Sequence, residues 1–142
     1  MTPQEIAKDK RLRKNYGWTL EMYNALFALQ GGVCAICGKP PKTMPLNVDH
    51  VHFHVEATYD PTTRFWMGVV KECPVVRSWA ETKKRAIQLT RDKFLPYSVR
   101  GLLCAGRHRG CNRLLGRIDN REWLEKALVY LKDPPARKIH QI

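Results

Sequence analysis

Along the chain the spacing of apolar positions changes several times, and each change marks a new element. Residues 4–14 (QEIAKDKRLRK) favour a helix but repeat no apolar face, which predicts a solvated, basic helix or arm able to lie along phosphates. Thr19 then offers an N-cap, and Leu20, Tyr23, Leu26 and Phe27 recur at helical spacing until Gly31-Gly32 stops the run. That helix is expected to face the core. Val33 to Gly38 forms a tight cysteine turn, broken by Pro40-Pro41. From Leu46 to His52 apolar and polar residues alternate, as in a half-buried strand. A period of two puts His50 and His52 on one face and Asp49 on the other.

Residues 55–98 read as an insertion. Phe65 to Val70 suits a strand, and Ser78 with Glu81 at capping-box spacing predicts a helix running to about Lys93. That helix carries Lys83, Lys84, Arg85, Arg91 and Lys93. Val99 to Leu103 returns to strand character, Cys104 to Cys111 makes a second cysteine loop, and Asn112 to Leu115 begins a short helix. Asn120 caps a last helix striped by Trp123, Leu124, Ala127, Leu128 and Leu131, which Pro134-Pro135 ends. The fold class expected is α+β with little sheet. Residues 1–142 read as one domain, with a basic N-terminal arm or helix at 1–16 and a basic tail at 133–142.

Charge narrows the function. Lys and Arg total 25 against 13 acidic residues, a formal net charge of +12. Such an excess on a small domain attracts polyanions, of which nucleic acid is the commonest. A hydrophobic content of 44% argues against wholesale disorder. No apolar run approaches the roughly 18 residues of a membrane span, and the basic N-terminus leads into no apolar signal core. The expectation is a cytoplasmic protein without membrane contact.

Five cysteines in a reducing compartment suit metal better than disulfides. Cys34 and Cys37 are two residues apart and can share one ion, and Cys104 with Cys111 would complete a tetrahedral site of four thiolates. Six residues separate the second pair, so His108 inside that loop, or Cys73 in the insertion, is an alternative ligand. A redox CxxC would call for a βαβ pattern around it, which the chain lacks.

Between the cysteine pairs stands Asp49-His50, with His52 beyond. Metal-assisted phosphodiester hydrolysis uses such residues: a carboxylate holds a hard divalent cation, and a neutral imidazole takes a proton from the attacking water. Alone, the dipeptide equally suits a turn whose side chains bond locally.

The ordered strings GGVCAICGKP, VDHVH, VRGLLC and CNRLLG, with the lead-in YGWTLEMYNALFALQGGVCAICG, resemble the phage recombination endonuclease VII family of HNH nucleases. The resemblance covers roughly residues 10–54 and 98–131, and the insertion has no counterpart in it. It implies a zinc-stapled ββα-metal (HNH) core with flanking helices and an insertion. It implies Cys34, Cys37, Cys104 and Cys111 as structural zinc ligands, and Asp49 and Asn112 as ligands of a catalytic Mg²⁺ or Mn²⁺. His50 would be the general base and His52 an assistant at phosphate or metal. The substrate implied is DNA, duplex or branched, cut to a 5′-phosphate and a 3′-hydroxyl in the bacterial host cell if the gene is a phage's. Lys83, Lys84, Arg85, Arg107 and Arg109 would bind the phosphate backbone, and the N-terminal segment and C-terminal helix offer faces for a homodimer. A non-catalytic zinc module that binds nucleic acid is the competing reading; it has no use for Asp49, His50 and Asn112 together.

Overall fold

The computed structural model describes residues 1–106 and 110–132. Helix α1 (Pro3–Tyr16) starts at a capping box, in which the Thr2 hydroxyl accepts from the Glu5 backbone N–H and the Glu5 carboxylate accepts from the Thr2 N–H. Most of it is exposed, as its weak apolar periodicity requires, but Leu12 is buried in the core. Helix α2 (Leu20–Leu29) is capped by Thr19 as expected, and Gly31 and Gly32, both at positive φ, turn the chain away from it. Asp9 fixes the two helices together by accepting from the Leu20 N–H at 2.7 Å.

Strand β1 (Asn47–His50) pairs antiparallel with β5 (Val99–Leu103), and α4 (Cys111–Arg117) follows. Two paired strands and a helix thus form one small unit whose strands lie far apart in the chain. Leu12, Leu20, Tyr23, Leu46, Val48 and Leu102 fill the space between this unit and α1 and α2. Leu102 is fully buried, which contributes roughly 1.5–3 kcal/mol. The Tyr23 hydroxyl, buried with them, donates to the Leu46 carbonyl at 2.7 Å and so leaves no polar group unpaired.

The residues between β1 and β5 build their own sheet, in the order β2 (Val55–Asp60), β3 (Phe65–Val70), β4 (Cys73–Ala80), with α3 (Lys83–Phe94) across one face. Sheet content therefore exceeds the expectation. The expected cap at Ser78 is also corrected. Ser78 lies inside β4 opposite Gly68, because cross-strand pairing carries the strand on to Ala80. Thr82 is the N-cap, its hydroxyl accepting from the Arg85 N–H. Helix and sheet approach closely at Gly68: a Cβ there would lie 2.6 Å from the Ala86 carbonyl oxygen and still nearer the Thr90 hydroxyl. A short 3-10 helix (Leu95–Ser98) leads back to β5.

Helix α5 (Arg121–Lys132) is capped by the Asn120 side chain, which accepts from the Trp123 N–H at 2.9 Å. Its apolar stripe is not core. Trp123, Leu128, Val129 and Tyr130 are all exposed, and the Leu131 side chain is outside the description. The tail 133–142 also lies outside the described residues.

Candidate active site

Two elements bring the cysteines together. The Gly38 N–H donates to the Cys34 carbonyl and the Cys34 N–H to the Lys39 carbonyl, closing the first cysteine turn. That turn is tied to β5 through the Ala35 N–H, which donates to Leu102, and through Gln30, which both donates to and accepts from the Leu102 backbone. Cys104 follows β5, and Cys111 opens α4. The four Sγ atoms lie within 4.8 Å of one another, with Cys37 and Cys104 at 3.9 Å. Zn–S bonds of about 2.3 Å in a tetrahedron set an S···S spacing near 3.8 Å, so these donors fit zinc. Burial raises the Cys34 thiol, but backbone N–H groups outweigh it and bring the value down to about 6. Burial and the neighbouring sulfurs push Cys111 up to about 12. One sulfur holds negative charge and another resists it, a conflict that a bound cation removes. Cys73 is half-buried and outside this cluster, while His108 lies outside the described residues.

On the other side of β1 lies a cavity of about 410 Å³, walled by α1, β1, β5 and the α4–α5 region. Asp49, His50, His52 and Asn112 all line it. All four residues of β1, Asn47 to His50, line the cavity. The β1–β5 register slips between Asp49 and His50, where Asp49 opposes Gly101 and His50 opposes Val99, and a bulge of this kind re-aims a side chain. The His50 ring stands 5.0 Å from that of His52 and meets Tyr16 edge-on at 5.2 Å. Burial, then the neighbouring His52, lowers the pKa of His50, which keeps the imidazole neutral and able to accept a proton.

Arg100 was not singled out by sequence reasoning, and it organises the cavity. Its Nε and Nη2 donate to the two oxygens of Asp49 at 2.7 and 3.0 Å, and its Nη1 and Nη2 donate to the two oxygens of Asp119 at 3.1 and 3.0 Å. One guanidinium thus bridges two carboxylates. Asp49, then Asp119, raises its pKa, and Arg100 in turn lowers that of Asp119.

A family model for recombination endonuclease VII matches residues 9–133. The chain belongs to that family. Neither a curated protein nor a solved structure matches it. Membership in the endonuclease VII family makes the chain a nuclease with DNA as its substrate, consistent with an HNH placement.

The basic helix expected to lie along phosphates supplies one wall of the endonuclease VII cavity, though its individual residues were not singled out. Lys8, Arg11 and Asn15 reach it from one face of α1, at i, i+3 and i+7, a spacing visible in the sequence once the cavity side is known. Asp119 closes the far side. The expected phosphate-binding residues Lys83, Lys84 and Arg85 stand exposed on the first turn of α3, apart from the cavity lining. Arg107 and Arg109 lie outside the described residues. A second groove of about 340 Å³ shares His50 with the cavity and is flanked by Lys14 of α1 and Arg91 of α3. The residues between β1 and β5 therefore approach the cavity through α3. No helix among the described residues is long and apolar enough to cross a membrane.

Proposed function

We propose that this chain is a metal-dependent DNA endonuclease of the HNH type, with His50 as general base and Asp49 and Asn112 as ligands of a catalytic divalent cation. The observation that carries the reading is that these three residues, from the end of β1 and the start of α4, line one basic cavity. The oxygen donors of Asp49 and Asn112 suit a hard cation such as Mg²⁺ or Mn²⁺. A cationic guanidinium already sits between the carboxylates of Asp49 and Asp119, a sign that the place suits positive charge.

When bound, the cation supplies Lewis-acid stabilisation to a phosphate oxygen and the departing 3′ oxygen. Asp49 and Asn112 would hold it. His50, neutral, takes the proton of an in-line water, and the water oxygen forms the new bond to phosphorus as the 3′ oxygen leaves and takes a proton from solvent. The products are a 5′-phosphate and a 3′-hydroxyl. His52 contacts the same phosphate, while Lys8 and Arg11 hold its neighbours without reading bases. The four cysteines bind structural zinc, which joins the first cysteine turn to β5 and α4.

Residues 1–142 act as one nuclease domain in which 55–98 is an insertion that extends the DNA track. Lys83, Lys84 and Arg85 occupy the positive end of the α3 dipole, with no acidic residue in that turn. Such placement is unfavourable for the helix alone and favourable for a phosphate. Arg107 and Arg109 would add to the same track. The exposed apolar side of α5 serves a homodimer, and branched DNA is the preferred substrate. Both the tail at 133–142 and the arm at 1–16 add basic charge near that DNA, in the bacterial cytoplasm if the gene is a phage's.

The test is cleavage of a four-way junction and of its linear arms, with and without Mg²⁺. Metal-dependent cutting that is stronger on the junction is expected. His50→Ala should abolish cutting while binding persists, and wild-type-like cutting by that variant refutes the assignment.

A further inference from the structure

We infer that Arg100 is a resident counter-ion of the catalytic cation site: it neutralises Asp49 in the metal-free protein, withdraws onto Asp119 when the cation binds, and then offers its freed edge to a DNA phosphate. This inference rests on the proposed cation site at Asp49.

Geometry carries it. The Asp49 side chain is only 12% exposed, and both its oxygens are already taken, Oδ2 by Arg100 Nε and Oδ1 by Nη2. Each oxygen keeps a lone pair for a cation, but a cation held there stands within a few ångströms of the guanidinium, and the repulsion weakens both bonds. Arg100 presents two separate forks, the Nε/Nη2 edge to Asp49 and the Nη1/Nη2 edge to Asp119. Letting go of Asp49 therefore does not free the side chain. Asp119 keeps it docked on the cavity wall through the second fork, and the first fork is then unpaired in the cavity that Asn112 and His52 also line.

A planar pair of parallel N–H donors matches two phosphate oxygens, a match that the point charge of a lysine does not make. Charge points the same way. Arg100 with Asp49 and Asp119 sums to −1, whereas adding a divalent cation beside an undisplaced Arg100 sets like charges a few ångströms apart. Lys8 and Arg11 line the same cavity and add to that repulsion. Asp119 draws the guanidinium away from the cation without itself leaving the site.

The role predicts an unusual sign. A residue that merely shapes the site weakens cation binding when removed, but a competitor strengthens it. In the zinc-loaded full chain, Mn²⁺ binding is measured without DNA by the electron paramagnetic resonance of free Mn²⁺. Arg100→Ala should bind Mn²⁺ at least about tenfold more tightly than wild type, and Arg100→Gln, which keeps more of the side chain's bulk, should move the same way. Retained zinc stoichiometry verifies that each variant is folded. Asp119→Asn should weaken binding in wild type and change it far less in the Arg100→Ala background, because its effect runs through Arg100. A second readout takes His50→Ala protein on an uncut junction with Mn²⁺ present. Adding Arg100→Ala there should lower the salt dependence of binding by about one phosphate. If Asp49→Ala abolishes Mn²⁺ binding and neither Arg100 variant tightens it, the counter-ion role is wrong and the cation site stands. If Asp49→Ala leaves Mn²⁺ binding unchanged, the cation site itself is wrong and the inference falls with it.

Discussion

The Tyr16 ring meets the His50 ring edge-on, with centroids 5.2 Å apart and planes at 61°. Tyr16 closes α1 and His50 closes β1, so an aromatic contact at two element ends fixes how the imidazole faces the cavity. Tyr16→Ala should lower the cleavage rate by roughly ten- to a hundredfold, as loss of orientation does. Tyr16→Phe, which keeps the ring, should stay close to wild type. Equal losses in both variants, measured by single-turnover kinetics, would assign the effect to the hydroxyl instead.

Burial and a neighbouring histidine lower the pKa of His50 from the ordinary histidine value. The base form is then retained at more acidic pH than in a free histidine, whose value is about 6.5. The acidic limb of the cleavage profile should have its midpoint below that value. Replacing His52 by Gln removes one of the two main causes of that lowering and should move the midpoint upward. A midpoint well above 6.5 in wild type would contradict the role of burial.

Gly68 has no room for a side chain beneath α3. Gly68→Ala should destabilise the protein by about 1–3 kcal/mol, the usual range for overpacking, as read from chemical denaturation. Thr90→Ala should not rescue it, because the Ala86 carbonyl, part of the helix backbone, still stands 2.6 Å from the new Cβ.

The cysteine cluster joins the first cysteine turn, β5 and α4, so a metal held there should contribute to folding. One zinc per chain is expected by atomic absorption. A chelator strong enough to strip it should abolish the cooperative unfolding transition as well as turnover. A metal-free chain with an unchanged melting curve would show the cluster to be dispensable.

Replacing Lys83, Lys84 and Arg85 together by alanine should leave the fold intact, since all three are exposed. DNA binding should weaken and its dependence on salt should become shallower, by roughly 0.9 in log–log slope for each phosphate the protein no longer neutralises. An unchanged slope would remove α3 from the DNA track.

Features set by neighbours in the chain were legible in the sequence. The Thr19 cap, the Gly31-Gly32 stop and the helix after Cys111 all depend on residues within a turn or two, and the strand at Val99–Leu103 announced itself by local composition. Ser78 misled because its capping pattern is local, whereas its real partner is Gly68 across the sheet. The slip of register between Asp49 and His50 stayed hidden for a related reason. A bulge belongs to a pair of strands, and one strand's sequence does not disclose it. Arg100 was hidden in the same way, since its partners Asp49 and Asp119 lie 51 and 19 residues distant. The motifs pointed to Asp49, His50 and Asn112; the side chains that electrostatically surround them came only with the fold.

Because β1 and β5 lie on either side of some fifty residues of chain, the cavity is built from both halves of the polypeptide. During synthesis from the N-terminus, the wall made by α1 and β1 emerges first and stands open until β5 and α4 follow. A nascent or prematurely terminated product therefore has half a pocket and no second cysteine pair. A chain that stops before β5 thus carries neither Arg100 nor Asn112 and cannot assemble the proposed site.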